Sequence, residues 1–212
     1  MGSGAPPGPA GQKREHVDAG TLATIGSPPP GPVGLAAPAG VPSRTTAKAN
    51  APGAADQIVA YIRRRIGERV GNGECFTVVD RALRAAGTRS ASDFGQITPN
   101  ADYVWGQAET LAAVQPGDVI QFRNYRYDRE VVERTERRVH TSTDFQTRPH
   151  HTAIVESVDG NGAITVLEQN VPVRSAVRRT QLFFADSTTT SGGTTTTIHV
   201  QGTFTFYRPQ VP

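Results

Sequence analysis

The spacing of apolar residues changes once along the chain, and this change limits the fold more than any other feature. Between residues 54 and 86, apolar residues recur every three or four positions, which is typical of amphipathic helices. After residue 114 they alternate with polar residues, which is typical of strands with one buried face. Helical segments followed by alternating segments predict an α+β domain, in which N-terminal helices pack on an antiparallel β-sheet.

Two helices are predicted before the sheet. The second follows the pattern of "CFTVVDRALRAAG", so it begins near Cys75, directly after a glycine-rich turn, and ends at Gly87. The first runs through "AADQIVAYIRRRIGERV" and is ended by the glycines of "GNG". Its apolar face consists of Ile58, Val59, Ile62, Ile66 and Val70.

The second part of the chain predicts strands. "QPGDVIQF" reads as a turn and a strand, and "TQLFFA" and "VQGTFTFYR" each read as a strand. Residues 152–158 and 163–167 alternate around "DGNG", which predicts an antiparallel hairpin. Residues 187–197, rich in threonine, are interpreted as a flexible polar loop. A charged insertion over about residues 124–149 fits a β-arm or a short helix equally well.

Proline divides the chain into two regions. Ten of the sixteen prolines precede residue 53, in runs such as "GSPPPGPVG". Such a segment buries too little apolar surface to offset the entropy lost on ordering. Residues 1–52 are therefore predicted to be a disordered tail or linker, and residues 53–212 a single domain.

Composition excludes several classes of protein. A formal net charge of +3 does not indicate a nucleic-acid partner. No apolar run reaches the ~20 residues of a membrane span, and no leader sequence is visible at the N-terminus. The lone Cys75 excludes an internal disulfide framework and a multi-cysteine zinc site. It is either a small buried side chain or a reactive thiol.

Polar residues lie at both open ends of the predicted hairpin. His150 and His151 open its first strand, and Glu168, Gln169 and Asn170 close its second, so antiparallel pairing brings the two groups together. Successive strand residues face opposite sides, so only one of the histidines can face a given partner. Alternation alone leaves both histidines open as candidates. It also places Glu168 and Asn170 on the same face.

Four motifs in order, "GNGECFTVVDRAL", "QPGDVIQF", "HHTAIVESV" and "ITVLEQN", resemble the cysteine, histidine-dependent amidohydrolase/peptidase (CHAP) family. That family belongs to the NlpC/P60 group of papain-like enzymes. The resemblance implies Cys75 as nucleophile, His151 rather than His150 as general base, Glu168 as the orienting acid and Asn170 as an assisting group. It implies no cofactor and no metal.

The same resemblance implies a function and a location. The expected protein is a cysteine amidase or peptidase that cleaves peptidoglycan or muropeptide amide bonds through a thioester. It is expected to be bacterial and to act on the cell wall, periplasmic or extracellular, by a leaderless route, and otherwise to be cytoplasmic. One alternative is a catalytically silent module with the same fold. Another is the same chemistry in a delivered antibacterial effector or phage lysin, with a secretion-system, phage-structural or inhibitor partner.

Overall fold

The computed structural model describes residues 53–99 and 101–212, so the predicted tail over residues 1–52 lies outside the described residues. Two helices come first, α1 (Ala54–Arg63) and α2 (Cys75–Ala85). Seven strands follow: β1 (Gln107–Glu109), β2 (Val119–Arg134), β3 (Val139–Gly160), β4 (Ala163–Glu168), β5 (Arg178–Phe183), β6 (Ser187–Ser191) and β7 (Thr194–Arg208). The predicted combination of N-terminal helices and an antiparallel sheet is confirmed.

All seven strands form one antiparallel sheet. Its order is β1-β7-β2-β3-β4-β5, and β6 pairs with β7. The predicted hairpin is confirmed as β3 and β4. Its turn, Gly160-Asn161-Gly162, has positive φ at all three residues (88°, 50° and 74°), a conformation in which glycine and asparagine are favoured.

Both faces of the sheet are buried in the central strands, so neighbouring residues on both faces are apolar, and the expected single buried face is wrong there. On one face, Val119, Ile154 and Leu167 pack with the helices. The opposite face carries a second cluster of buried side chains. Its members include Ile120, Phe122, Ala153, Val155, Ile164, Val166, Leu182, Phe184 and Phe206. This double burial fixes the register of β2, β3 and β4, because a shift by one residue would exchange the two clusters.

The predicted length of the first helix is wrong. α1 ends at Arg63, and the next residues form tighter turns, with N–H groups donating to carbonyls three residues back. Gly67, at φ 86°, then donates its N–H to the Val177 carbonyl, which turns the chain away from the helical path. Ile66 is consequently exposed, although Val70 is still buried. Within the described ranges, neither helix is long and apolar enough to cross a membrane.

The charged insertion forms a β-arm, and the helix alternative is wrong. β2 and β3 continue as a long hairpin in which Arg126–Arg134 pair with Val139–Thr147. The expected threonine-rich loop is also wrong, because it forms β6 and the start of β7. Threonine is β-branched and favours strands, and Gly192-Gly193 supplies the two positive-φ residues of a tight hairpin turn.

Candidate active site

A glycine-rich loop presents Cys75 as the first residue of α2. Gly71 lies at φ 61°, and a Cβ atom there would stand 2.5 Å from the Thr77 methyl group, so glycine is required. The Asn72 side-chain oxygen accepts hydrogen bonds from the Glu74 N–H at 3.1 Å and from the Thr77 hydroxyl at 2.6 Å. These bonds fix the loop against the first turn of the helix. The prediction that Cys75 lies at a helix start is confirmed.

Gln169, directly after β4, holds this loop in place through its side-chain hydrogen bonds. Its side chain is fully buried. Its Oε1 accepts the Val70 N–H at 2.6 Å, and its Nε2 donates to the carbonyls of Val70 at 3.1 Å and Glu74 at 3.0 Å. All three bonds join β4 to backbone groups just before Cys75. The position of the nucleophile loop therefore depends on the hairpin that carries the histidines.

His151 is the histidine that faces the thiol. Its side chain is 5% exposed, and its interaction and charge are the largest effects that lower the pKa of the Cys75 thiol. Its Nε2 lies 3.1 Å from Glu168 Oε2, which leaves Nδ1 for the thiol. The ring N–H is not aimed along the line to that carboxylate oxygen, so this is a close charge contact and not a linear hydrogen bond. Cys75, His151 and Glu168 thus form a continuous chain of contacts.

Two arginines hold the Glu168 carboxylate. Arg148 is almost fully buried and makes a bidentate pair with it, Nε to Oε2 at 2.8 Å and Nη2 to Oε1 at 2.6 Å. The half-exposed Arg178 places its Nε 3.5 Å from Oε1. Arg148 is not among the predicted site residues, because it belongs to the charged insertion, where basic side chains are usually solvated. Its only signal is its place directly before Pro149, where the insertion meets the buried strand.

The titration behaviour of the three groups follows from these contacts. Burial alone would raise the pKa of Cys75, but the hydrogen bond and charge of His151, with backbone bonds from Thr152 and Phe76, bring that pKa below its ordinary value. Burial opposes the charged form of His151, and its bonds to Cys75 and Glu168 nevertheless raise its pKa. Burial likewise opposes ionisation of Glu168, but His151 and Arg148 hold its pKa far below the usual range.

The other predicted site residue, Asn170, has different contacts. Its Nδ2 donates to Glu74 Oε2 at 2.9 Å, and its Oδ1 accepts the Arg174 N–H. Among the described residues, no hydrogen bond joins it to the thiol, the imidazole or the Glu168 carboxylate. It therefore lies on the rim of the site, next to the residue before Cys75. His150 is turned away, and its Nε2 lies 2.8 Å from the Ala101 carbonyl oxygen.

A thiol, an imidazole and a carboxylate in sequence can form a thiolate–imidazolium pair oriented by a fixed negative charge. A helix that starts at the cysteine, packed on an antiparallel sheet that carries the histidine, defines a papain-like cysteine proteinase fold. The family model of the AIM3/BBC1 cysteine proteinase-fold domain matches residues 37–186. The match spans well over half of the 212 residues, and the chain belongs to this family.

The matched segment contains Cys75, Arg148, His151 and Glu168. The papain-like fold implied by the resemblance is thus confirmed, and the narrower CHAP and NlpC/P60 assignment stays a prediction. No curated protein and no solved structure matches the chain.

Proposed function

We propose that this chain is a cysteine peptidase or amidase that hydrolyses C–N amide bonds. The observation that carries the proposal is the contact chain from Cys75 through His151 to Glu168, together with a thiol whose pKa lies below its ordinary value. A thiol beside an imidazole that is itself held by a carboxylate is the arrangement of a reactive cysteine, and a purely structural cysteine does not require it. The family description supports a cysteine proteinase fold and names no substrate.

The chemistry follows the geometry. The Cys75 thiolate attacks the amide carbonyl carbon, and the carbonyl electron pair moves to oxygen. We expect backbone N–H groups in the first turn of α2, which have no partners within the helix, to bind that oxyanion. The His151 imidazolium then gives its proton to the leaving amine as the C–N bond breaks, which leaves a thioester on Cys75.

The second half of the reaction regenerates the enzyme. Neutral His151 removes a proton from water, and the resulting hydroxide attacks the thioester carbonyl. The C–S bond breaks, the carboxylic acid leaves, and the thiolate–imidazolium pair is restored. Glu168 keeps its negative charge throughout, because Arg148 and His151 both stabilise it, and its role is to orient the imidazole and favour its charged form.

Peptidoglycan is the finer part of the proposal. It rests on the sequence resemblance, which implies a muramoyl–alanine amide or a bond in the stem or cross-bridge peptide. The bacterial cell-wall location, the leaderless delivery and the effector, phage or inhibitor partners also stay predictions of that resemblance. They are separate from the amide chemistry, which stands on the site itself.

One experiment tests the chemistry and the substrate together. Purified wild-type protein and the Cys75→Ala variant are incubated with a mixed peptide library, read by mass spectrometry for new termini, and with peptidoglycan, read as soluble fragments. We expect wild type to cleave at least one of these and Cys75→Ala to cleave neither. Cleavage of peptides alone would refute the peptidoglycan proposal. Identical behaviour of the two proteins on both substrates would contradict the catalytic function and favour a silent module.

A further inference from the structure

Three aromatic side chains form a wall next to the nucleophile. Phe76 directly follows Cys75 in α2, and its ring centroid lies 5.1 Å from that of Tyr103 and 5.2 Å from that of Trp105. The Tyr103 and Trp105 centroids are 5.9 Å apart. Trp105 is fully buried, whereas Phe76 and Tyr103 are only partly buried, as is Cys75 itself. The aromatic wall, Phe76, Tyr103 and Trp105, therefore has a buried base and an accessible front.

Hydrogen bonds from two of its three residues hold the aromatic wall in place. The Trp105 indole N–H donates to Gln121 Oε1 at 3.1 Å, and the Tyr103 hydroxyl donates to the Thr98 carbonyl at 3.0 Å. The His150 ring packs on Tyr103, with 5.9 Å between centroids. Since the polar atoms of Tyr103 and Trp105 are already bonded, the surface that the aromatic wall offers to a ligand is mainly apolar.

The aromatic wall lies close enough to the thiol for the charge of ionised Cys75 to affect Tyr103. Burial, followed by the negative charge of ionised Cys75, raises the pKa of the Tyr103 hydroxyl. This agrees with the ring packing, in which Tyr103 touches the residue that follows Cys75. We therefore expect a substrate bound at the Cys75 sulfur to place a neighbouring group near Tyr103 and Phe76.

We propose that the aromatic wall binds a substrate side chain, and that the substrate is a peptide with an aromatic or bulky aliphatic residue beside the scissile bond. Partly exposed aromatic rings gain by covering their apolar surface, and offset or edge-on ring contacts add to that gain. Because the rings are already held in place, they lose little conformational entropy when a substrate binds. This proposal rests on the proposed amide hydrolysis, and it defines which peptides the site accepts.

The test compares three covalent probes: the chloromethyl ketones of N-acetylglycine, N-acetylphenylalanine and N-acetylphenylalanylglycine. Each alkylates a thiolate, and Cys75 is the chain's only cysteine, so intact mass reports its modification directly. Rates are divided by the rate of each probe with glutathione, which removes intrinsic reactivity. We expect wild type to prefer at least one phenylalanine probe over the glycine probe by about tenfold, which corresponds to ~1.4 kcal/mol.

Variants test whether Tyr103 causes the preference for the phenylalanine probes. Tyr103→Ala is expected to lose most of the preference, measured within each variant as the ratio of the phenylalanine-probe rate to the glycine-probe rate, and Tyr103→Phe is expected to keep it. Phe145→Ala, which removes an exposed ring on the β-arm, is the matched control and is expected to keep the full preference. Urea unfolding checks that each variant is folded.

The outcomes separate the two proposals. Fast, His151-dependent modification with equal corrected rates for all three probes would refute the wall and leave the amide hydrolase standing. A preference that survives in Tyr103→Ala would also refute the wall. Slow modification by every probe, unaffected by His151→Ala, would refute the proposed hydrolase and the wall with it.

Discussion

Replacing Gln169 with methionine tests whether the nucleophile is positioned from the hairpin. Methionine has a similar length and fills the same buried space, but it cannot form the three hydrogen bonds to Val70 and Glu74. Each buried hydrogen bond contributes about 1 kcal/mol net, and a buried group left without a partner costs about 1–3 kcal/mol. Because Val70 is 5% exposed, water cannot easily replace the lost partner. We therefore expect a loss of about 3–5 kcal/mol in the free energy of unfolding.

The same substitution is expected to slow the reaction of Cys75. The freed loop no longer fixes the start of α2, and a displacement of about 1 Å costs about 100-fold in a reaction that depends on alignment. Urea unfolding gives the stability, and the His151-dependent rate of Cys75 alkylation gives the alignment. Gln181→Met is the matched control, because Gln181 is exposed and its side chain donates to Asp159 at 3.1 Å, away from the nucleophile loop. If Gln169→Met lies within about 0.5 kcal/mol of wild type and keeps the wild-type alkylation rate, as Gln181→Met should, the positioning role of Gln169 is refuted.

Two buried carboxylates lead to further predictions. Arg148→Met leaves Glu168 buried without its bidentate partner and should cost about 3–5 kcal/mol in urea unfolding. Arg126→Met, in an exposed pair, should cost much less, and equal costs would contradict this reasoning. Glu156 has a lowered pKa, chiefly because Arg179 hydrogen bonds to it, so its stabilisation is present above about pH 4 and is lost as the pH falls. Glu156→Gln should therefore lower the free energy of unfolding by about 1–2 kcal/mol near neutral pH, a figure that allows for the exposed arginine. The difference between wild type and variant should disappear in acid, and a difference that does not change with pH would contradict this reasoning.

Local patterns were sufficient for the elements that carry the site. Glycine followed by an apolar helical repeat places Cys75 at a helix start, and alternation around a glycine-rich turn brings His151 and Glu168 together. These features depend on residues near one another in the sequence. That is why the hairpin and the start of α2 were predictable, while the end of α1, which depends on a bond from Gly67 to Val177, was not.

Arg148 could not be found by alternation. In a regular strand, residues 148 and 151 face opposite sides, yet both side chains reach Glu168. Pro149 lies between them within β3, and opposite it Asn124 has φ 51°, next to a register shift in the pairing of β2 with β7. Simple alternation therefore does not describe this part of β3, where both side chains reach Glu168.

Gln169 and the aromatic wall illustrate a different limit. The bonds of Gln169 go to backbone groups 95 and 99 residues earlier, and backbone partners leave no trace in residue identity. Tyr103 and Trp105 lie in a connection without regular helical or strand periodicity, so no pattern assigns them a face. Their meeting with Phe76 depends on the packing of the whole domain.

The pH dependence of Cys75 alkylation by iodoacetamide tests the central claim most directly. A thiol paired with His151 should react with an inflection below the ordinary thiol pKa of about 8.5, because the thiolate is already present near neutral pH. His151→Ala should move the inflection up to or above that ordinary value, because burial then acts alone, and should slow the reaction near neutral pH by at least about tenfold. The control His199→Ala, at an exposed histidine on β7, should keep the wild-type profile. Profiles that coincide for wild type and His151→Ala would contradict the thiolate–imidazolium pair on which the proposed function depends.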